Sequence, residues 1–378
     1  MKIISVPLIL ATTLGLAGAQ SLRALADSHG IHMGAAVTLP GGTSLAPYES
    51  TLTQQFNMVV CENAMKFGNL EATRNVFTFT TADAIFNFAT SHGLAVRGHN
   101  FCWHSQSGFA QSINVPRDTM LFILKNHINK VMAHYPGIYE WDVVNEGVND
   151  NGASLRASNW QVRIGNDYID SAFVFAHRAD PNALLVYNDY GAEAVNTKST
   201  FIYNMVSGLK TRGIPISGVG LQCHFSLNSF DTASIGANMT RLEALGLNIS
   251  ITELDITTSN TTANLNTQKA NYQAMMALCV RHPRCKTFIT WGVNDAQSWR
   301  GANAVALLFT GTTTITPKPA YDGIVAALSA AADIWQVATG KSGVLRPVGT
   351  NNGSALFNVG GKSFDLSGRK LSILPLSK

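Results

Sequence analysis

Ile138-Tyr139-Glu140-Trp141-Asp142-Val143-Val144-Asn145-Glu146 is an apolar β-run that stops on a carboxylate. Asn248-Ile249-Ser250-Ile251-Thr252-Glu253-Leu254-Asp255 does the same about a hundred residues later. A carboxylate is costly to desolvate, so a buried strand seldom ends on one without a partner or a task. Working outward from these two runs, further short apolar stretches read as strands at Ile31–Val37, Asn57–Glu62, Leu94–Phe101, Tyr139–Glu146, Ala183–Asp189, Gly218–His224, Ile249–Asp255 and Lys286–Val293. Amphipathic or apolar helical segments lie between them, at Thr81–Ser91, Thr119–His134, Asp167–Ala179, Thr197–Arg212, Ser234–Leu245, Thr267–Arg281 and Ala320–Ala332. Strand and helix alternate through the eight strands. That pattern predicts an α/β fold, a closed (β/α)8 TIM barrel forming a single catalytic domain. A doubly wound dinucleotide fold would carry a GxGxxG turn after its first strand, and residues 30–42 supply none.

The 378 residues suffice for one large domain or two ordinary ones. Charged residues make up 13% and apolar ones 46%, the balance of a folded globular chain. The net charge is +4, but the basic residues are scattered, which argues against a nucleic-acid partner. Lys2, the apolar run Ile3–Leu16 and the small residues Ala17-Gly18-Ala19 read as a secretory leader over 1–19, with the mature chain starting near Gln20. The run is short for a membrane span, and no later segment is long and apolar enough for one. Five cysteines then fall in an oxidising setting. Cys279 and Cys285 flank a turn holding Pro283 and are the expected disulfide, while Cys61, Cys102 and Cys223 read as buried thiols. No ligand spacing suggests a metal, and no cofactor is expected. The catalytic domain is assigned to 20–335. The remaining 336–378 is a linker, rich in Gly, Ser and Asn around Gly340–Ser354, and a tail alternating like a β-hairpin. The tail resembles the small β-rich sorting signals at the C-termini of some bacterial secreted enzymes, with a frayed end as the alternative. Asn-x-Ser/Thr triplets start at Asn238, Asn248, Asn260 and Asn352.

In a (β/α)8 barrel the working residues sit at the C-terminal ends of the strands. Strand two ends in Glu62, Asn63 and Lys66; strand three carries His99 and leads to Trp103; strand four ends Asn145-Glu146. Strand five ends Asn188-Asp189-Tyr190, strand six Gln222-Cys223-His224, strand seven Glu253-Leu254-Asp255, and strand eight gives Trp291 with Trp299 in its loop. Taken singly, each has a bland explanation. A strand-end glutamate is more often a salt-bridge partner, a lone histidine a satisfied core residue, a lone lysine a solvated charge. Their joint convergence on one rim overturns these, provided the barrel is right. Tryptophan faces pack on pyranose rings. Glu62, Asn63, Lys66, His99 and Gln222 can hydrogen-bond hydroxyls. Two carboxylates, Glu146 and Glu253, are the minimum for cleaving a glycosidic bond. Glu146 suits the proton donor, with Asn145 placed for a neighbouring sugar hydroxyl. Glu253 suits the nucleophile, oriented by His224 with Asp255 behind it.

These stretches resemble the family 10 glycoside hydrolases, mainly endo-β-1,4-xylanases. The matching segments are Glu62-Asn63-Ala64-Met65-Lys66, Arg97-Gly98-His99 with Trp103-His104-Ser105-Gln106, Trp141–Glu146, Tyr187-Asn188-Asp189-Tyr190, Gly220-Leu221-Gln222 with His224, Ile251–Asp255, and Trp291-Gly292-Val293 with Ser298-Trp299. They run in order across about Leu22 to Ala332. The resemblance implies Glu146 as acid/base, Glu253 as nucleophile, Asn145 and His224 as their assistants, and Glu62, Asn63, Lys66, His99, Trp103, Gln222, Trp291 and Trp299 lining the sugar subsites on the non-reducing side. It also implies retention of anomeric configuration. The chain departs from the family's common pattern at Phe67, where Trp is usual, at Asn100-Phe101-Cys102, and at Gly147, where Ala is frequent.

The expectation is therefore a secreted, monomeric endo-1,4-β-xylanase whose partners are xylan and xylooligosaccharides, with no nucleic acid and no membrane in the mature form. Two alternatives differ in kind. One is a related β-glycanase acting on glucan. The other is a non-catalytic carbohydrate-binding protein on a dead barrel, against which the two intact glutamates argue.

Overall fold

The structure, a computed structural model, describes residues 21–38, 46–227, 229 and 231–339, together with the strand segments 349–351, 354–359, 362–364 and 370–371; side chains are described as far as residue 330. The predicted leader lies outside the described residues, as does most of the predicted linker.

Eight strands form the core: β1 (His32–Val37), β2 (Met58–Cys61), β3 (Ala95–Cys102), β4 (Glu140–Asn145), β5 (Leu184–Asp189), β6 (Gly218–Leu221), β7 (Asn248–Thr257) and β8 (Cys285–Thr290). Each pairs parallel with the next, from Gly34 opposite Met58 to Ile249 opposite Cys285. β8 returns to β1, with His32 opposite Thr287, and the sheet closes. The fold is the predicted (β/α)8 barrel. Its strands are buried on both faces, which is why they read as short apolar runs rather than alternating ones.

The lumen is packed. Ser250 Oγ on β7 donates to Glu140 Oε2 on β4 at 2.9 Å, a bond between strands that are not neighbours and so must cross the interior. Arg97 pairs there with both Glu140 and Asp142, all of them buried. Beside this ion cluster Ala36, Met58, Val60, Ile289 and Trp291 fill the rest with apolar contacts. Gly98 is a close-packing position, because a Cβ there would lie 2.0 Å from the Trp141 ring.

Three features differ from the sequence reading. Strand six breaks after Leu221. Gln222 and Cys223 leave the ladder, Cys223 turns left-handed (φ +64), and His224–Ser226 resumes as a short strand pairing with the end of β7, His224 opposite Asp255. Helices Leu22–Ser28 and Ala46–Gln55 precede β1 and β2 and were not anticipated. The last helix spans Pro319–Thr339, beyond Ala332 and the predicted boundary at 335, because no helix breaker intervenes before Gly340.

Cys279 and Cys285 form the predicted disulfide, with Cα atoms 5.1 Å apart. Cys61, Cys102 and Cys223 are buried free thiols. The tail forms four short antiparallel strands in chain order, Gly349–Asn351, Ser354–Val359, Lys362–Phe364 and Lys370–Leu371. Among the predicted sugar-acceptor triplets, Asn238 is buried in helix Thr232–Ala244. Its amide donates to the carbonyls of Ala192 and Glu193 at 2.8 and 2.9 Å, and its oxygen accepts from Arg241 at 2.8 Å.

Candidate active site

Every strand-end residue singled out above lies on the C-terminal rim. Glu146 follows β4 in left-handed backbone (φ +54), and its N–H donates to Asn188 O at 2.8 Å. That turn lifts the side chain out of the strand and onto the rim. Trp103 Nε1 donates to its Oε2 at 2.8 Å, and Gln222 Nε2 to its Oε1 at 3.1 Å. Asn145 Nδ2 lies 3.4 Å from the same Oε1. His104 Nδ1 stands 3.6 Å from Oε2; burial first, then the Arg156 charge, holds that imidazole neutral, down at about 4. Gly147 follows because a Cβ there would meet the Tyr168 hydroxyl at 2.9 Å, which accounts for the departure from Ala.

Glu253 is buried near the end of β7 and held by two neighbours. Asn188 Nδ2 donates to Oε1 at 2.7 Å, and His224 Nε2 faces Oε2 at 3.1 Å. His224 Nδ1 in turn faces Asp255 Oδ2 at 2.9 Å. Burial pulls the imidazole pKa down, but its hydrogen bonds to Asp255 and Glu253 outweigh that and lift the group to about 9. His224 therefore stands as a cation between two carboxylates at neutral pH. Asp255 is further bonded by Trp299 Nε1 at 2.7 Å and Arg300 Nε at 3.1 Å.

The two glutamates are joined through amides. Asn188 Nδ2 also donates to Asn145 Oδ1 at 2.8 Å, and Thr252 Oγ1 fixes Asn188 Oδ1 at 2.7 Å. Asn188 sits on β5 and reaches β7 past β6. It can do so because β6 carries Gly220, where a Cβ would lie 2.3 Å from Asn188 Oδ1.

The remaining rim groups are prepared for a polar ligand. Lys66, expected on the rim, is 7% exposed; burial lowers its pKa while Glu253, Glu62 and Glu146 raise it. Its ammonium donates to Asn63 Oδ1 at 2.9 Å and lies 5.0 Å from the Trp103 ring centroid. Burial raises Glu62 above the usual carboxylate range, against Lys66 and Asn63. His99 Nδ1 is held by Asp142 Oδ2 at 2.9 Å, and its ring meets Trp291 edge-on at 5.2 Å. Trp291 is buried at the top of the lumen, whereas Trp299 is 51% exposed. Tyr190 commits its hydroxyl to Asp150 and accepts from Arg156 at 3.2 Å, with the Lys198 ammonium 3.9 Å over its ring. It can offer a ligand its ring edge rather than its hydroxyl. Asp189, bonded by Tyr187 at 2.6 Å and paired with Lys198 at 2.8 Å, is pushed by burial up to about 6.

Sequence reasoning did not single out Asn188, Thr252, Arg156 or Arg300 as site residues. Asn188 ends a strand and carried that signal. Arg156 and Arg300 lie in loops, where charge alone marks nothing.

The sequence profile of glycosyl hydrolase family 10 matches residues 21–327. The chain belongs to glycosyl hydrolase family 10. It is a glycosidase of TIM-barrel fold, as its motifs led us to expect. Exoglucanase XynX of Acetivibrio thermocellus is 38% identical over 305 residues, covering 76% of this chain and 28% of that protein. The chain thus spans little more than a quarter of XynX. Endo-1,4-β-xylanase B of Thermotoga neapolitana is 34% identical over 318 residues, covering 80% of this chain and 90% of that enzyme. Among solved structures, xylanase 10B of Thermotoga petrophila RKU-1 in complex with xylobiose superposes with a TM-score of 0.78 at 34% identity, covering 84% of this chain and 99% of the other.

Proposed function

We propose that this family 10 glycosidase is a secreted endo-1,4-β-xylanase that cleaves internal bonds of xylan with retention of configuration, through a glycosyl ester on Glu253. The observation that carries the reading is the amide bridge: Asn188 bonds Asn145, the neighbour of Glu146, and also Glu253, so two differently equipped carboxyl groups are tied into one rim. In the first step Glu253 attacks the anomeric carbon while Glu146 gives its proton to the departing glycosidic oxygen. In the second, Glu146 takes a proton from water, the water oxygen bonds the anomeric carbon, and Glu253 leaves as carboxylate. Direct displacement of this kind uses carboxyl groups about 5–5.5 Å apart.

The environments fit the two roles. Glu253 accepts from the Asn188 amide and faces the His224 imidazole, which hold its two oxygens in place for attack. Glu146 faces the Trp103 N–H and a neutral His104. Xylopyranose lacks the exocyclic hydroxymethyl group, so a tight subsite walled by Glu62, Lys66 and Trp299 would select it over glucose. The name of the exoglucanase relative makes glucan the second reading. Release of reducing sugar from xylan but not from carboxymethylcellulose separates them. For secretion, support comes from the leader-like residues 1–19 and from the disulfide, which suits an oxidising compartment. A mature N-terminus near Gln20 in the culture medium is the expected result.

NMR of products from xylooligosaccharides tests the whole reading, since it reports the bond cut, endo action and anomer in one measurement. Glu253→Ala should abolish turnover with the fold intact; wild-type-like turnover ends the assignment. Glu146→Ala should spare aryl glycosides whose leaving groups need no proton. Equal loss on aryl and natural substrates would remove Glu146 from that role.

A further inference from the structure

The loop after β8 is anchored on both sides of its tip. Before the tip, buried Asp295 accepts from Leu307 N at 2.8 Å and pairs with Lys318 at 2.8 Å. After it, Ile256 N donates to Ala306 O at 3.1 Å, Thr258 N to Ala304 O at 2.9 Å, and the Tyr272 hydroxyl to Ala306 O at 2.7 Å. The tip itself is Trp299-Arg300. Its side chains both hydrogen-bond the fully buried Asp255. Trp299 Nε1 takes Oδ2 and Arg300 Nε takes Oδ1, so the two residues grip one carboxylate from adjacent positions. The guanidinium carbon also lies 4.4 Å from the Trp299 ring centroid. The guanidinium lies over the indole face, and the His224 ring meets the indole in an edge contact with centroids 5.1 Å apart.

We infer that Arg300 is a positioning residue for substrate binding: it locks the exposed indole of Trp299 over the nucleophile's side of the rim by sharing Asp255 and stacking on the ring. Without it the half-exposed indole would keep its hydrogen bond to Asp255 and the edge of His224 but nothing over its face. A planar guanidinium suits the task because it can donate and stack at once, whereas an ammonium bonds without a flat face. The inference rests on the xylanase reading, because it concerns sugar bound beneath Trp299.

The test is a double-mutant cycle on xylooligosaccharides with Arg300→Ala, Trp299→Ala and the pair. Wild-type hydrolysis of the same substrate checks the xylanase reading separately. Arg300→Ala should raise KM about tenfold and leave kcat within about twofold. In the Trp299→Ala background the same change should move KM less than about twofold, since the group it positions is gone. Acrylamide, a neutral quencher indifferent to the lost charge, should quench tryptophan fluorescence more strongly in Arg300→Ala than in wild type, a readout that needs no substrate. An unchanged KM in Arg300→Ala, or an equal factor in both backgrounds, overturns the inference. Should Arg300→Ala not fold, Arg300→Lys carries the comparison: it keeps a cation on Asp255, loses the stack, and should raise KM in the same direction, while wild-type KM overturns the stacking role.

Discussion

A methyl group at position 220 would put an atom 2.3 Å from the Asn188 amide oxygen, closer than any contact allows. Gly220→Ala should therefore displace Asn188 from Glu253 and Asn145 while changing no charge. We expect kcat to fall about 10- to 100-fold, or about 1.4–2.8 kcal/mol of transition-state stabilisation. Steady-state kinetics would show it, with circular dichroism reporting an intact fold. Asn188→Ala should cost a similar factor, and the pair little more than either alone. At this scale the sequence was legible where a residue's position on the rim follows from its place at a strand end. Glu146, Glu253, His224 and Asp255 could be placed that way. Arg300 could not, since its partner lies 45 residues away and loop geometry brings them together. Lys66 could be placed on the rim, but not its neighbour there: the Trp103 ring, 5.0 Å from its ammonium, comes from another strand's loop.

The segment 147–156 is the element behind Glu146, the proposed proton donor. Val148 bridges Leu155, and Asn149 N donates to Ser154 O at 3.0 Å, closing a hairpin. Arg156 ties that hairpin to the site: its guanidinium donates to Glu146 O at 3.1 Å, Val148 O at 3.2 Å and Asp150 at 2.7 Å. Those bonds hold the left-handed turn at Glu146. Arg156→Ala takes a donor from the part-buried carbonyls of Glu146 and Val148 and should cost about 1 kcal/mol in urea denaturation. Turnover of natural substrate should drop more than that of activated aryl glycosides, because the turn aims the acid. Equal loss on both would refute this. Helices and strands with strong periodicity were legible as elements. The break in strand six was not, because Gly218–His224 reads as one apolar run and the interruption comes from tertiary contacts around Cys223 and His224.

Closure of the sheet fixes the molecule's pH response through His224. Its folded pKa near 9 exceeds the ordinary 6.5, so the folded state binds that proton more tightly than the unfolded chain. The resulting stability is fully present below pH 6.5 and lost as pH rises through 9. It amounts to about 3 kcal/mol. Melting temperatures between pH 6.5 and 9 should fall in wild type and fall less in His224→Asn; parallel slopes would refute the assignment. The barrel could be read from sequence because eight alternations leave few other ways to bury parallel strands. The length of the last helix was less legible: it runs past Ala332 to Thr339, since after Gly323 neither glycine nor proline recurs before Gly340. A chain ending at Thr339 keeps every element that forms the rim and should hydrolyse xylooligosaccharides within about twofold of the full chain. The buried Asn238 has a practical consequence for manufacture. In a yeast or filamentous-fungal host, oligosaccharyltransferase meets Asn238-Met-Thr on the nascent polypeptide before the helix has packed. An attached glycan could not follow the amide into its seat against Ala192 and Glu193, and quality control in the endoplasmic reticulum would retain such chains. Thr240, whose hydroxyl only caps the carbonyl of Gly236 at the surface, is the position to change: Thr240→Ala erases the acceptor triplet and leaves the asparagine where it belongs.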